Sequence, residues 1–336
     1  MPLSALRNFP LILALFFGLA GSGWKAQSPP QQTQSFKSAS GAVAISARLQ
    51  AIAAAGKLAD LYWPDFSDYR RDFEWAYESS NFSLIWLNNG QPTQQALAVI
   101  QALQASWQKG LIPDDYDASR WQGRIAALRS STNPDQEARF DAALTVCAMR
   151  YISDLHIGRV NPTHFKFGID IEQKKYNLPP FITHDLIHAA SMPALLADVE
   201  PPYNGYKRTQ IALQRYLQLA AKGDGPPLTQ VQKAVTLGDA YSGIPALVER
   251  LKLLGDLPQT AVVDANSRIY TGTLVDGVKL FQSRHGLTAD GKLGAETIRQ
   301  LNVPLAQRVR QLQDALERWR WLPPSFPQPP IVVNIP

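Results

Sequence analysis

His184 and His188 stand four residues apart in His184-Asp185-Leu186-Ile187-His188. On a helix that spacing sets two imidazoles on one face, and such a pair can share a zinc ion. Zinc hydrolysis also needs a general base, and the Glu of the H-E-x-x-H pattern is absent. The pair therefore reads as a helix surface, and neither a metal nor a cofactor is expected. Asp114 and Asp115 are adjacent carboxylates, the kind of pair that serves acid–base chemistry when correctly placed. Directly after Pro113 in a turn, they read instead as solvated or capping groups. Cys147 is the one cysteine, which excludes an internal disulfide. A catalytic thiol needs a base or a helix N-terminus to lower its pKa. Nothing adjacent in sequence supplies either, and His156 could do so only through the fold. Leu144, Ala148, Tyr151, Ile152 and Leu155 repeat at helical spacing around Cys147, so the expected role is a small buried apolar residue.

These groups need elements to position them. The chain has 336 residues, 45% hydrophobic and 18% charged, which suits two globular domains. The net charge of +5 is spread along the chain, so a solvated surface is expected rather than a nucleic-acid partner. Arg7 precedes an apolar run from Phe9 to Ala20, followed by Gly21-Ser22-Gly23. That order reads as a secretory signal, either cleaved or kept as an anchor. The run falls short of the about 20 apolar residues of an ordinary membrane span. The protein is accordingly expected in the periplasm or cell envelope. A Gln/Ser/Pro-rich stretch then reads as a flexible tether.

From residue 43 the pattern is mainly helical. A first apolar helix covers Ile45 to Ala55. Phe82 to Trp86 reads as a short strand, ended by Asn88-Asn89-Gly90. Ala96, Val99, Ile100, Leu103 and Trp107 share a helical face, with Thr93 as N-cap and Gly110 as the stop. Asp141 to Ile157 is a second strong helix, closed by Gly158. A further helix opens at Ser191-Met192-Pro193, and another carries Tyr206, Leu213 and Leu217. Gly223-Asp224-Gly225-Pro226-Pro227 is the clearest internal break. Beyond it, three short helices are each stopped or entered by glycine: Gly255, Gly286 and Gly294. So small a unit buries little surface and depends on its turns, Asp290-Gly291 among them. The tail holds an amphipathic helix with Val309, Leu312, Leu316 and Trp319 on one side, then a proline-rich stretch and a strand-like Ile331 to Ile335.

Phe281-Gln282, Gly286-Leu287, Asp290-Gly291, Gly294 and Thr297 fit FQxxxGLxxDGxxGxxT. This resembles the three-helix peptidoglycan-binding domain of bacterial wall enzymes. Gly277 departs from it, where a helix former such as Ala is usual, at about 1 kcal/mol of helix propensity. Trp86 to Gly90, Gly110 to Tyr116 and Asp154 to Pro162 resemble the helical scaffold domain of large L,D-transpeptidases. Asn302-Val303-Pro304, Leu316 to Pro323 and Val332 to Pro336 resemble the bridge into that family's catalytic β-domain. The resemblance implies a mainly α chain: an all-helical scaffold, a three-helix bundle and an isolated C-terminal strand. The expected order is a signal peptide at 1–23, a flexible linker at 24–42, the scaffold at 43–222 and the binding domain at 228–303. A bridge at 304–336 would hold a linker helix and the first strand of a truncated catalytic domain.

In that family the catalytic domain carries Ser/Thr-His-Gly-Cys. Its cysteine attacks a stem peptide, releases D-alanine and forms a 3→3 cross-link in murein. No stretch here matches that motif, and the residues flanking Cys147 do not fit it, so no catalytic residue is carried over. The resemblance implies peptidoglycan as a partner, with the catalytic domain encoded downstream or in another chain. A complete, non-enzymatic adaptor that binds peptidoglycan is the alternative. Polar groups beside an apolar wall suit sugar or peptide contacts. Gln282, Arg284, His285 and Asp290 are the binding candidates, while Phe281, Leu287 and the glycines are expected to be structural. Arg159 either binds a wall carboxylate or pairs with Asp154.

Overall fold

The computed structural model describes residues 31–130, 133–165, 169–264 and 267–325. The expected signal peptide and the strand at 331–335 lie outside them. The chain divides into two units, Met1–Gly41 and Ala42–Pro336. Helix α1 (Gln31–Ala55) begins within the stretch expected to be a flexible linker. No proline follows Pro30 there, and Ala, Ser and Gln are compatible with helix. Past residue 42, α1 buries Leu49, Ile52 and Ala53, the i, i+3, i+4 face of an amphipathic helix.

The described residues are mainly helical. The first core is built from α1, α2 (Arg70–Glu78), α3 (Gln94–Gln104), α4 (Trp121–Ser130) and α5 (Pro134–Ile157). The short α6 (Leu178–Pro180) and α7 (Met192–Val199) complete it. Helix α5 is the axis. Asn133 caps it by accepting from the Asp135 N–H at 2.9 Å, and Pro134 occupies the first turn. From Phe140 to Met149 every α5 residue is buried, so this helix is enclosed on all sides rather than amphipathic. Cys147 lies in that run, buried and free, as its helical face suggests.

Phe82–Trp86 is not a strand. The ladder pairs Leu87–Asn88 with Gln91–Pro92 across Asn89 and Gly90, both at positive φ. The reason lies in α5. The buried Asp141 carboxylate accepts from the Ile85 N–H at 3.1 Å, the Trp86 N–H at 2.8 Å and the Tyr77 hydroxyl at 2.6 Å. Backbone donors that a strand would use in pairing are consumed by a side chain. Thr145 seconds this, accepting from the Trp86 indole at 2.9 Å. Thr93 caps α3 as expected. Trp107 lies beyond the end of α3, in the 3₁₀ turn Ser106–Lys109, and is exposed. Gly110 closes that turn at φ +75°.

The second core runs from Tyr206 to Leu316. It joins α8 (Asn204–Ala220), α9 (Ile244–Leu254), α10 (Gly272–Arg284), α11 (Ala295–Leu301) and α12 (Leu305–Trp321). Apolar packing thus changes hands between Val199 and Tyr206, before the glycine–proline break. The three short helices α9 to α11 form as the periodicity predicts. Gly277 has a packing reason: a Cβ there would sit 3.1 Å from the Asp256 carbonyl and 3.2 Å from Leu251. Helix α10 crosses the end of α9 closely, and the helix propensity lost at Gly277 is exchanged for that approach.

Candidate functional site

The turn that carries the glycine signature is held from inside. Gln282 is buried, and its Oε1 accepts from the Gly291 N–H at 2.8 Å. Its Nε2 lies 3.1 Å from Asp290 Oδ1, 3.1 Å from the Lys292 carbonyl and 3.2 Å from Thr297 Oγ1. The Tyr270 hydroxyl donates to the Gly291 carbonyl at 2.8 Å. One amide therefore supplies both a donor and an acceptor to a tight turn. This explains the Phe-Gln…Asp-Gly…Thr spacing as a folding requirement.

The structure brings two of the four binding candidates together, Gln282 and Asp290. Asp290 is exposed, and the Lys292 N–H with Gln282 holds its carboxyl below the ordinary range. The other two face elsewhere. Arg284 donates from Nε to Asp256 at 2.8 Å and ties α10 to the loop after α9. His285 stacks on Phe281 with ring centroids 4.2 Å apart. Burial, reinforced by Arg308 and Arg284, pushes the His285 imidazole down to about 4, so it is neutral near pH 7.

An open groove of about 550 Å³ lies between α11 and α12, lined by Gln230, Gln300, Gln307 and Gln311 with Arg299 and Asn302. Asn302 positions its floor: the side chain pairs in both directions with the backbone of Leu228, at 2.8 Å each way. Arg308 donates to Gln300 Oε1 at 2.6 Å and to Gln311 Oε1 at 3.1 Å. Gln230 and Gln307 are exposed and make no side-chain hydrogen bond among the described residues. Neutral amides both donate and accept, which suits hydroxyl, acetamido and peptide groups alike. Sequence reasoning missed this groove. Its signal was the run of amides in QLNVPLAQRVRQLQ, Gln300 to Gln313, which reads locally as ordinary helix surface.

Helix α12 carries the chain from this groove back to the first core. Its last turn is clasped. Lys174 Nζ donates to the Arg320 carbonyl at 2.6 Å, the Leu322 carbonyl at 2.5 Å and the His156 carbonyl at 3.3 Å. One ammonium thus caps the C-terminal ends of α12 and α5, where the helix dipoles favour a cation. Burial pulls that ammonium down to about 8. Arg320 is fully buried and donates to the Lys109 carbonyl at 2.5 Å and to the Tyr206 hydroxyl at 3.2 Å. Glu317 accepts from the Val160 N–H at 2.9 Å.

The residues singled out for catalysis are placed otherwise. Burial pushes the Cys147 thiol far above its ordinary range. Asp115 accepts from the Trp63 indole at 3.0 Å and pairs with Arg159 at 2.7 Å. Asp154 instead accepts from the Tyr116 hydroxyl at 2.7 Å, so Arg159 takes the neighbouring carboxylate. His184 and His188 are exposed, but a π turn over Phe181–Asp185 passes into a 3₁₀ turn over Leu186–His188. The one-face geometry of a regular α-helix is lost there.

Residues 71–213 match a family model described as a scaffold domain. Residues 241–301 match one described as a peptidoglycan binding domain. No curated protein matches the chain. The chain thus carries a scaffold domain followed by a peptidoglycan-binding domain.

Proposed function

We propose that this chain is the wall-binding and scaffold portion of an L,D-transpeptidase that forms 3→3 cross-links in murein. It would be exported to the periplasm or cell envelope, by a signal that is cleaved or kept as an anchor. Its catalytic domain would follow in the same product or come from another chain. The observation that supports this most is the route of α12. This helix leaves the binding bundle at Pro304 and ends in the scaffold clasp of Lys174. A helix fixed at both ends sets the distance between a polymer held in the amide groove and whatever follows the scaffold. Positioning of that kind is what acyl transfer between two stems of one polymer requires. The buried thiol of Cys147 cannot serve as nucleophile without unfolding α5.

Two measurements test the reading. The chain should sediment with purified sacculi, and Gln307→Ala with Gln311→Ala should weaken that binding severalfold. Failure to sediment removes the wall-binding function. Sequencing beyond codon 336 should reveal a frame with Ser/Thr-His-Gly-Cys. Sacculus binding together with a stop codon and no such frame would overturn the transpeptidase assignment and favour the adaptor.

A further inference from the structure

Trp107 stands 43% exposed beside an open groove of about 430 Å³ between the Ser106–Lys109 turn and α8. The turn lines it with Trp107 and Gln108. Helix α8 and its end line it with Gln214, Leu217, Gln218 and Ala221, at the i, i+3, i+4, i+7 spacing of one helical face. The turn that carries the indole is pinned from behind. Ser106 is buried, and its carbonyl accepts from the Leu111 N–H at 3.2 Å. A Cβ on Gly110 would lie 3.1 Å from Leu316 and 3.4 Å from Leu213, so α12 and α8 both close on it. A turn fixed in this way gives up little entropy when a ligand settles against it.

The lining is polar without being charged. Trp107, Gln108, Gln214 and Gln218 are exposed, and their side chains make no hydrogen bond among the described residues. A ligand can therefore engage them without breaking a bond inside the protein. The cations next to them in sequence are drawn elsewhere. Lys109 pairs with Glu200 at 2.5 Å, and Arg215 donates to the Leu254 carbonyl. The volume falls within the about 300–1,000 Å³ usual for ligand sites.

An indole flanked by three neutral amides fits a neutral sugar. One face of a pyranose ring is made of C–H groups and stacks on an aromatic ring. Its rim of hydroxyl and acetamido groups donates and accepts, as the amides do. A stem peptide carries carboxylates and an amine, and no charged side chain lines the groove to meet either. A protein helix would bring more apolar surface than Trp107 and Leu217 cover, and would leave the amides to be paired. We propose that this groove is a subsite for an N-acetylated sugar of the glycan strand, separate from the amide groove of α11 and α12. The inference rests on the wall-binding function proposed above only for the source of that sugar.

Nuclear magnetic resonance of the full chain tests it. The Trp107 indole N–H signal, identified by its loss in Trp107→Phe, should shift on titration with tri-N-acetylchitotriose. The charged tripeptide Ala-Glu-Lys should leave it in place. Gln214→Ala with Gln218→Ala, both exposed on α8, should weaken the affinity read from that signal roughly tenfold. Gln307→Ala with Gln311→Ala should leave the shift unchanged. An unmoved signal, an equal response to the tripeptide, or unchanged affinity in the α8 variant would each overturn the subsite. Loss of the shift in the Gln307 and Gln311 variant would do the same, by assigning it to the amide groove. So would a signal that moves with protein concentration alone, which would give the groove to a second copy of the chain. Sacculus sedimentation separates the two readings. A chain that sediments while the signal stays put defeats this inference alone. One whose signal shifts but that does not sediment defeats the wall-binding function alone.

Discussion

At the centre of the scaffold a carboxyl group, Asp141, gathers the hydroxyl of Tyr77 and the backbone of Ile85 and Trp86. In the peptidoglycan-binding bundle the same work falls to the neutral amide of Gln282. The two hubs organise loops that have no regular partner, but their acid–base character differs. Burial pushes Asp141 up to about 6, against the hydrogen bonds that favour its anion. Asp154, also in the scaffold, is pushed up to about 7 by burial, with Glu317 adding repulsion and Tyr116, Arg159 and Arg320 opposing. In the bundle, burial pushes the His285 imidazole the other way. A large core tolerates a buried acid because an enclosed α5 holds it. In the three-helix bundle the glycine turn is held by an amide that never has to ionise, and the buried carboxylate of Asp256 is paired with Arg284.

The largest effect expected is from Asp141→Ala. It leaves the backbone N–H groups of Ile85 and Trp86 without their acceptor and the Tyr77 hydroxyl with Thr145 alone, and should cost about 3–5 kcal/mol. Amide exchange should accelerate throughout α5 while α10 changes little. Equal acceleration in both helices would show that the two cores unfold as one, and the contrast between their hubs would lose its meaning. Gln282→Leu should come next, at about 2–4 kcal/mol, with the loss confined to α9, α10 and α11. Should the scaffold melt as well, the two cores would unfold as one.

A pH scan of the unaltered chain sharpens the contrast through its sign. Asp141 and Asp154 bind protons more tightly folded than unfolded. Their contribution is therefore complete below an unfolded carboxyl pKa of about 4 and is lost as pH rises through about 6 and 7. His285 behaves oppositely: its contribution is complete above about 6.5 and is lost as pH falls toward about 4. Exchange protection in α5 should thus fall between pH 4 and 7, by up to about 1.4 kcal/mol for every pH unit by which burial raises a carboxyl, while that in α10 rises. The α10 change should be smaller, about 1 kcal/mol, since His285 is only half-buried and partly screened. Parallel trends in α5 and α10 would contradict both assignments.

What the sequence revealed follows the range of the interactions involved. Thr93 as a cap, the apolar face of α12 and the turns at Gly255, Gly286 and Asp290-Gly291 are set by residues within a few positions, and all were legible. Phe82 to Trp86 was not, because its backbone is captured by Asp141 some 55 residues away. The Arg159 pairing turned on which of two carboxylates, Asp115 or Asp154, had already been claimed by Tyr116. The amide groove needed Gln230 brought against α11 and α12 by Asn302, a contact 74 residues apart in sequence. Gln282 was read as a ligand contact because a polar residue beside an aromatic one looks exposed in a pattern. Its burial is decided by the turn it fills.

Gly277→Ala should give the smallest effect and is the finest test of how the bundle is built. Taken alone, alanine in the middle of α10 favours the helix by about 1 kcal/mol. The added methyl, however, would lie 3.1 Å from the Asp256 carbonyl and 3.2 Å from Leu251. The carbonyl belongs to the backbone that Arg284 grips through the Asp256 carboxylate, so it is held where it is. Moving it would also loosen that ion pair, and overpacking of this kind costs about 1–3 kcal/mol. The net expectation is a loss of about 1 kcal/mol by urea unfolding, in spite of the better helix former. A gain in stability would mean that α9 and α10 have room to part. The bundle's turns would then matter more than its helix contacts.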